Sequence, residues 1–511
     1  MKLQDLLSAV SPTGITGPAD LWISQLVCDS RNAVPQCLFF ALPGTRLDGR
    51  HYIAAAVAGG AVAVVAESFD GVSFLPHCCF VEVADVRTAM AKMATHFYGA
   101  PGRGIPVIGV TGTNGKTTVT YLLEAILQAA GYQPAVFGTV DYRLGQQMRL
   151  PASHTTPESI DLMRILAGFR AKGADALIME VSSHALEQHR VDGLEFTLAV
   201  FTNLTPEHLD YHPDMEHYFA SKRRLFTRLV VSGGAVINAD DAYGARLLAE
   251  LDNAVSYGMA STCSLFPQQL QVGRDGIHGT FSGVRGDVAI DSPMIGQFNV
   301  SNLLAAVAAA QQLQIGNAQI ARGVAQAPQV PGRLERVHNP QGVLALVDYA
   351  HTGDALEQAL KTLSRLAHRK LYTLVGCGGD RDPGKRPLMA AVAVKYSDLA
   401  IFTSDNPRTE DPLQILAQIR AGALAAGSTE LDPATVNPAS KGFVVIPERR
   451  TAIEFAARCA QQDDLLLVAG KGHEDYQILG TRRIHFDDRE ELHLALQKAL
   501  TTAVPGDQAH V

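Results

Sequence analysis

Residues 105–118 read IPVIGVTGTNGKTT, in which an apolar run leads into a glycine-rich turn and then into a helix-forming segment. The run 105–110 predicts a buried strand, and VTYLLEAILQAA (119–130) predicts the helix that follows. Glycines in such a turn let backbone N–H groups approach a phosphate, and a helix N-terminus favours negative charge. This order predicts a phosphate-binding loop in which Lys116 contacts the β- and γ-phosphates and the Thr117 hydroxyl ligates Mg²⁺.

The loop departs from the strict pattern G-x-x-x-x-G-K-[ST], since Val110 stands where the first glycine of that pattern belongs. The alternative interpretation is a glycine-rich turn that carries a surface lysine. Because the strand, turn, lysine and threonine occur in register, nucleotide binding is favoured. The residues predicted to contact the nucleotide are Gly112, Thr113, Asn114, Gly115, Lys116, Thr117 and Thr118.

Apolar runs of similar length recur along the chain, each followed by a turn and a helix-like segment. They are AVAVVAE (61–67), ALIMEV (176–181), LAVFTN (198–203), GGAVIN (233–238), LYTLVG (371–376), DLAIFT (398–403) and DLLLVAG (464–470). Uninterrupted apolar runs suit strands that are buried on both faces, as in parallel sheets with helical crossovers. The predicted fold class is therefore α/β.

Clusters of Pro and Gly at 101–106 and 328–332 mark predicted domain boundaries. They divide the 511 residues into a small α/β N-terminal domain (1–102), a central domain (103–331) and a C-terminal domain (332–511). We expect a P-loop-type parallel sheet with helices on both faces in the central domain. The C-terminal domain is expected to be Rossmann-like.

The composition narrows the class of protein. A net charge of −8 without a basic block argues against a nucleic-acid or anionic-membrane partner. Seven cysteines, without a C-x-x-C pair, indicate reduced thiols rather than disulfides or a zinc site. The N-terminus does not resemble a secretory signal, and no apolar run of about 18 residues predicts a membrane span. We expect a cytoplasmic protein.

Glu180 ends the run ALIME, at the carboxyl end of a predicted strand, where oxygen ligands for Mg²⁺ gather in α/β proteins. Composition alone does not indicate that His208 or Lys222 is a metal ligand. A histidine in such a segment is more often packed or at the surface, and a lysine in a helix is usually solvated.

Four segments together resemble the ATP-dependent Mur ligases: TGTNGKTT (111–118), MEVSSH (179–184), FTNLTPEHLDYH (201–212) and MEHYFASK (215–222). The resemblance extends over essentially the whole chain and is greatest to members that add meso-diaminopimelate. It implies that Lys222 is carbamylated by CO₂ and, as N6-carboxylysine, binds Mg²⁺ with Glu180 and His208. A second Mg²⁺ near Thr117 would bridge the phosphates of the co-substrate ATP.

The resemblance also implies contacts on the ATP side from four residues: Asn302, Arg333, Asp348 and His351. For each of these residues, interdomain packing or helix capping remains an open alternative.

Three segments that follow apolar runs, at 376–387, 404–412 and 468–477, resemble the family's amino-acid site. Arg408 of DNPR (405–408) is suited to hold the extra carboxylate that distinguishes diaminopimelate from lysine. The alternative is a set of proline-terminated turns with a solvated arginine. The implied diaminopimelate contacts are Arg381, Asp405, Asn406, Pro407, Arg408, Gly470 and Glu474.

The N-terminal domain resembles the family's UDP-binding domain, although TRL (45–47) departs from the stretch His-Gln-Ala known in a relative. For the threonine pair, the alternative is an ordinary turn into a helix, since TTPESI (155–160) has N-cap chemistry. The implied contacts with the UDP-substrate are Ser30, Thr45, Arg46, Leu47, His154, Thr155, Thr156, Ser182, Gln188 and Arg190.

The resemblance implies an ATP-dependent ligase, acting as a monomer, that joins meso-diaminopimelate to UDP-N-acetylmuramoyl-L-alanyl-D-glutamate through an acyl phosphate. One alternative is a lysine-adding or folylpolyglutamate-type ligase of the same superfamily. Another is a P-loop ATPase or regulator that forms no amide bond.

Overall fold

The computed structural model describes residues 1–44, 48–75, 77–209, 211–230, 234–437 and 439–502. The strands are β1 Gly14–Thr16, β2 Gln25–Val27, β3 Cys37–Phe40, β4 Ala61–Ala66, β5 Cys79–Glu82, β6 Val107–Thr111, β7 Pro134–Phe137, β8 Asp141–Leu144, β9 Met148–Pro151, β10 Ala176–Glu180, β11 Leu198–Phe201, β12 Ala235–Asn238, β13 Ala254–Tyr257, β14 Leu265–Val272, β15 Ile277–Gly283, β16 Val288–Ser292, β17 Glu335–Val337, β18 Leu344–Asp348, β19 Leu371–Cys377, β20 Leu399–Ser404, β21 Gly442–Val445, β22 Leu465–Ala469, β23 Tyr476–Leu479 and β24 Arg482–His485.

The α-helices alternate with these strands through most of the chain. They are α1 Leu3–Leu7, α2 Ile53–Ala58, α3 Val86–Phe97, α4 Lys116–Ala129, α5 Ser159–Ala171, α6 Ser183–Glu187, α7 Met215–Arg224, α8 Ala242–Glu250, α9 Gln297–Gln312, α10 Asn317–Ala325, α11 Gly353–Leu363, α12 Lys385–Tyr396, α13 Pro412–Ala425, α14 Arg449–Cys459 and α15 Asp488–Thr502. None of the helices in the described part of the chain is long and apolar enough to cross a membrane.

The chain forms two compact units. The first contains Met1–Gln268, Thr280–Ala289 and Ser301–Ala327, and the second contains Gln269–Gly279, Ile290–Val300 and the chain from Pro328 onward. The predicted boundaries after residues 102 and 331 do not appear as such in this division, and the three-domain limits stay predictions.

The first sheet has the strand order β1-β5-β4-β3-β2. Strands β2 to β5 run parallel, and β1 pairs antiparallel with β5. Helix α3 follows this sheet and begins at an Asp85 cap, whose side chain accepts from the backbone N–H groups of Arg87 and Thr88. This part of the chain has the small α/β form predicted for the N-terminus.

Among the described residues, the second sheet has the strand order β16-β15-β14-β13-β12-β11-β6-β10-β7-β8-β9. Strand β6 lies between β10 and β11 and is parallel to both. The carboxyl ends of these three strands therefore bring Thr111, Glu180 and Phe201 to one edge. Strands β8 and β9 extend the sheet as an antiparallel meander from β7. The predicted parallel centre is confirmed, with this antiparallel addition.

The third sheet has the order β17-β18-β22-β19-β20-β21, and only β17 among these strands runs antiparallel to its neighbour. On β18, Leu344 and Leu346 pack into one apolar cluster, whereas Ala345 and Val347 pack into another. Both faces are thus buried, which is why the strand sequences are apolar without alternation. The α/β prediction is confirmed.

Candidate active site

The phosphate loop connects β6 to α4, and its glycines are required by close packing. Gly112 and Gly115 have φ values of 144° and 91°, which disfavour other residues. A Cβ on Gly112 would collide with Thr202 Oγ1, and one on Gly115 would collide with Asn302 Oδ1. Asn302, predicted from the family resemblance, therefore lies directly against the loop.

Two lysines converge on the Gly112 carbonyl oxygen. Lys116 Nζ donates to it at 2.8 Å and Lys222 Nζ at 2.9 Å. Lys222 is 1% exposed, so the expectation of a solvated lysine from composition is wrong. Burial, followed by the charge of Lys116, holds the pKa of Lys222 well below its usual range. The neutral, nucleophilic form of this amine is therefore reached at a lower pH than in a solvated lysine.

Glu180 is 1% exposed and is held by hydroxyl and amide donors. Its Oε2 accepts from Thr117 Oγ1 at 3.1 Å and from Thr139 Oγ1 at 2.9 Å, and its Oε1 accepts from the Thr139 N–H at 2.9 Å. These donors are neutral, whereas a buried carboxylate is stabilised by a cation. A hydroxyl and a carboxylate side by side next to a phosphate loop fit the oxygen chemistry of Mg²⁺.

His208 belongs to an aromatic cluster formed by His184, His208, Tyr211, His212 and Tyr218. The ring of Tyr218 lies 6.1 Å from that of His208, and Lys222 Nζ lies 4.6 Å from the Tyr218 centroid. In the described ranges, no three His, Cys, Asp or Glu side chains are grouped as a metal site. The fit to Mg²⁺ therefore rests on Thr117 and Glu180. Tyr218 contacts both Lys222 and His208. The sequence did not point to Tyr218.

Four of the predicted UDP-substrate residues meet beside Glu180. Thr156 Oγ1 donates to the Glu180 carbonyl at 2.8 Å and accepts from the Ser182 N–H at 3.1 Å. Arg190 donates to the Thr156 carbonyl at 2.9 Å and to Gln188 Oε1 at 2.7 Å. Neither threonine caps α5, which has Glu158 at its N-cap and no side-chain cap bond, and the alternative of an ordinary turn into a helix stays open.

The remaining residues predicted for this substrate are more dispersed. Thr155 Oγ1 lies 3.1 Å from Thr139 Oγ1, and the Tyr142 hydroxyl donates to the His154 carbonyl at 2.6 Å. Ser30 begins a short 3-10 turn that is capped by Asp29. Thr45, Arg46 and Leu47 lie outside the described residues.

Within the second unit, Arg333 and Asp348 surround Tyr349. The Arg333 guanidinium lies 5.2 Å from the Tyr349 centroid. Asp348 accepts backbone hydrogen bonds from Leu334 at 2.7 Å and from Ala350 at 2.8 Å. Burial raises the pKa of Asp348 above its usual range. These contacts organise a turn within the second unit, and a direct role with ATP stays a prediction.

The three loops predicted to bind the amino acid converge in this unit. Arg408 Nη1 donates to the Gly379 carbonyl at 2.8 Å, and Asn406 Nδ2 donates to Glu474 Oε2 at 2.8 Å. A Cβ on Gly470 would lie 3.6 Å from Asp405 Oδ2. The loops after β19, β20 and β22 meet because those strands are parallel neighbours.

Backbone strain accompanies this convergence. Arg408 has a φ of 53°, an unfavourable value for a residue with a side chain. Its guanidinium is partly buried against Gly379, so the fully solvated alternative is wrong for Arg408. Arg381, by contrast, is exposed. The sequence reasoning also missed Lys471, whose side chain is 0% exposed.

Models of Mur ligase families match most of the chain. The Mur ligase family catalytic domain matches residues 23–110, the Mur ligase middle domain matches 110–310, and the Mur ligase glutamate ligase domain matches 332–472.

Curated relatives and a solved structure are similar over nearly the full length. A UDP-N-acetylmuramoyl-L-alanyl-D-glutamate--2,6-diaminopimelate ligase of Geobacter sulfurreducens is 50% identical, covering 96% of this chain and 98% of the relative. The ligase of the same name from Synechococcus elongatus is 44% identical over 97% and 99% of the two chains. A solved structure of a ligase with this name is 32% identical, with a TM-score of 0.69 over 98% of this chain and 99% of the other. The chain belongs to the Mur ligase family of ATP-dependent, amide-bond-forming ligases.

Proposed function

We propose that this ligase adds meso-diaminopimelate to the D-Glu residue of UDP-N-acetylmuramoyl-L-alanyl-D-glutamate, in the synthesis of peptidoglycan precursors. The observation that carries the proposal is the convergence of the Asp405–Arg408 segment on Gly379 and Glu474. Loops that carry an arginine, Arg408, and two carboxylates, Asp405 and Glu474, suit an amino acid with both a second carboxylate and a second ammonium. The names of relatives up to 50% identical agree with this substrate.

The proposed reaction activates a carboxylate, because a carboxylate is a poor electrophile near neutral pH. The γ-carboxylate of the D-Glu residue attacks the γ-phosphorus of ATP, and ADP departs. An amine of diaminopimelate then attacks the acyl phosphate and displaces inorganic phosphate. The protein contributes chiefly positioning and charge stabilisation to both steps.

The residues of the phosphate loop have defined parts in this proposal. Lys116 steadies the phosphates, and the backbone N–H groups of the Gly112–Lys116 segment face them at the start of α4. Asn302 fixes the loop through its contact with Gly115. Arg333 and Asp348 contribute to the ATP side from the turn around Tyr349.

Mg²⁺ would be held by Glu180, His208 and Lys222, as its carbamate, in one site and by Thr117 in a second. When bound, it supplies positive charge to the phosphoryl group being transferred. We propose that Lys222 reacts with CO₂ to form a carbamate. Its buried amine, with a pKa held below the usual range, supports this modification.

The muramoyl dipeptide is assigned to the cluster Thr156, Ser182, Gln188 and Arg190, with His154 and Thr155 beside it. Its UDP group is assigned to the N-terminal domain, at Ser30 and the segment 45–47. We retain domain limits at 102 and 331, and we propose that the chain works in the cytoplasm as a monomer.

Phosphate release tests the proposed function. Purified protein is incubated with ATP, Mg²⁺ and the UDP-dipeptide, and with meso-diaminopimelate, L-lysine or no amino acid. We expect release that depends on diaminopimelate, together with a UDP-tripeptide detected by mass spectrometry. Equal use of L-lysine would contradict the assigned amino acid, and phosphate release that is indifferent to both amino substrates would contradict amide formation.

A further inference from the structure

Lys471 follows β22 directly and is wholly removed from solvent, although its ammonium group remains a strong hydrogen-bond donor. Its side chain is 0% exposed. Its Nζ lies 3.2 Å from Glu474 Oε2, 3.3 Å from Asn406 Oδ1 and 3.5 Å from Asp405 Oδ1. Three acceptors thus surround a group that has three N–H donors.

All three acceptors belong to the loops assigned to diaminopimelate. Asp405 and Asn406 follow β20, whereas Glu474 lies on the same loop as Lys471. Asn406 Nδ2 also donates to Glu474 Oε2 at 2.8 Å, and Gln477 Nε2 donates to the Asp405 carbonyl at 2.6 Å. Lys471 is therefore the cationic centre of a polar network that joins two substrate loops.

The charges explain why a buried cation is needed there. The side chains of Asp405 and Glu474 are only 10% and 18% exposed, so their carboxylates are weakly solvated. Two such carboxylates near one another repel, and a positive charge placed between them offsets that repulsion. The Lys471 ammonium lies 3.2 Å from Glu474 Oε2 and 3.5 Å from Asp405 Oδ1, so it attracts both carboxylates.

We propose that Lys471 is a positioning residue for the amino-acid substrate, acting chiefly through Glu474, the nearer of its two carboxylates, without touching diaminopimelate. It holds the Glu474 carboxylate in place, so that this side chain presents an acceptor to an ammonium group of the substrate. This inference rests on the proposed function, because the relevance of the network depends on which amino acid the loops receive.

The test is a cycle of Lys471→Met, Glu474→Gln and the double variant, measured on the full chain. For Lys471→Met we expect the KM for meso-diaminopimelate to rise roughly tenfold or more, because a buried charged partner is lost. The KM values for ATP and for the UDP-dipeptide should stay within about twofold, since those substrates contact other residues. A purely structural role would instead change all three KM values or only kcat.

The double variant tests whether Lys471 acts through Glu474. If it does, the effects are non-additive, and the double variant has nearly the KM for diaminopimelate of Glu474→Gln alone. This comparison stands even if Lys471→Met alone does not fold, since the double variant removes one charge of each sign. A KM far above that of Glu474→Gln would overturn the proposal, as would an unchanged KM in folded Lys471→Met.

Lys395→Met is the matched control, because Lys395 lies in the same unit but is 63% exposed and forms a surface ion pair with Glu357. Its KM for diaminopimelate should be unchanged. If the unchanged protein shows no diaminopimelate-dependent phosphate release, the proposed function and this inference both fail. If that release is present and the cycle is additive, only the role of Lys471 fails.

Discussion

The hydroxyl of Thr117 donates a hydrogen bond to Glu180 Oε2 across 3.1 Å, linking the first turn of α4 to the end of β10. Both side chains are buried, and both come from strand-to-helix junctions at one edge of the central sheet. This contact joins the phosphate loop to the carboxylate assigned to Mg²⁺.

Glu180→Gln should abolish most activity while the protein stays folded. The amide keeps the size of the side chain but removes the negative charge that attracts Mg²⁺. We expect kcat/KM to fall by about 100-fold or more, with a higher Mg²⁺ requirement. Phosphate release measured against Mg²⁺ concentration checks this. The exposed Glu195→Gln is the control, and an unchanged Mg²⁺ dependence of Glu180→Gln would contradict the assignment.

Arg408→Ala should weaken the use of diaminopimelate selectively. Loss of a charge-assisted contact with the second carboxylate should lower kcat/KM for diaminopimelate roughly ten- to a hundredfold. The value for L-lysine, which lacks that carboxylate, should change little. Steady-state kinetics with both amino acids gives the ratio, and a parallel loss for L-lysine would show that Arg408 does not discriminate between them.

Tyr142→Phe should affect the UDP-dipeptide. The Tyr142 hydroxyl both donates to the His154 carbonyl at 2.6 Å and accepts from the His154 N–H at 3.2 Å, fixing the loop before Thr155. Without it, we expect the KM for the UDP-dipeptide to rise about tenfold, because two backbone groups lose their partner. Tyr132→Phe, at a partly exposed tyrosine, is the control. An equal rise in the KM for ATP would argue for general disruption.

Asp488→Asn should destabilise the C-terminal unit. Arg449 and Asp488 form an ion pair in which both side chains are 0% exposed, with two hydrogen bonds at 2.8 and 2.6 Å. Breaking a buried pair leaves an uncompensated charge, so the thermal transition should fall by roughly 10 °C. The neighbouring Arg450–Glu491 pair is more exposed, and Glu491→Gln should shift the transition by about 2 °C or less. Calorimetry on both variants checks the contrast.

The pH dependence of stability should reveal the buried amine of Lys222. Because its folded pKa lies well below its unfolded value, the unfolded chain binds more protons at pH values between the two, and stability rises with pH across that interval. Lys222→Met lacks this slope and should be the more stable protein near neutrality.

We expect the difference between the two proteins to narrow from about pH 7 to about pH 9, by at most about 1.4 kcal/mol per pH unit. Chemical denaturation in metal-free, CO₂-depleted buffer measures it. Lys92 is exposed, so the free energy of unfolding of Lys92→Met should change with pH in the same way as that of the unchanged protein. A difference that stays constant across this range would show that Lys222 keeps its proton in the folded protein and would contradict the prediction.

Local sequence was sufficient to predict the α/β class and the phosphate loop. Both depend on short-range order: an apolar run that suits a doubly buried strand, glycines that allow positive φ, and a helix directly after Lys116. The three loops that bind the amino acid in the proposal lie far apart in sequence, at 376–387, 404–412 and 468–477. Each follows a recognisable strand, so their convergence could be predicted.

Only the tertiary structure decided which polar side chains lost their solvent. In the sequence, Lys222 and Lys471 are ordinary lysines, since a side chain's burial depends on what the rest of the chain packs around it. Folding places Lys222 beside Lys116 on one carbonyl oxygen and Lys471 between two carboxylates. Burial and neighbouring charge, which arise from contacts distant in sequence, set the chemistry of both amines.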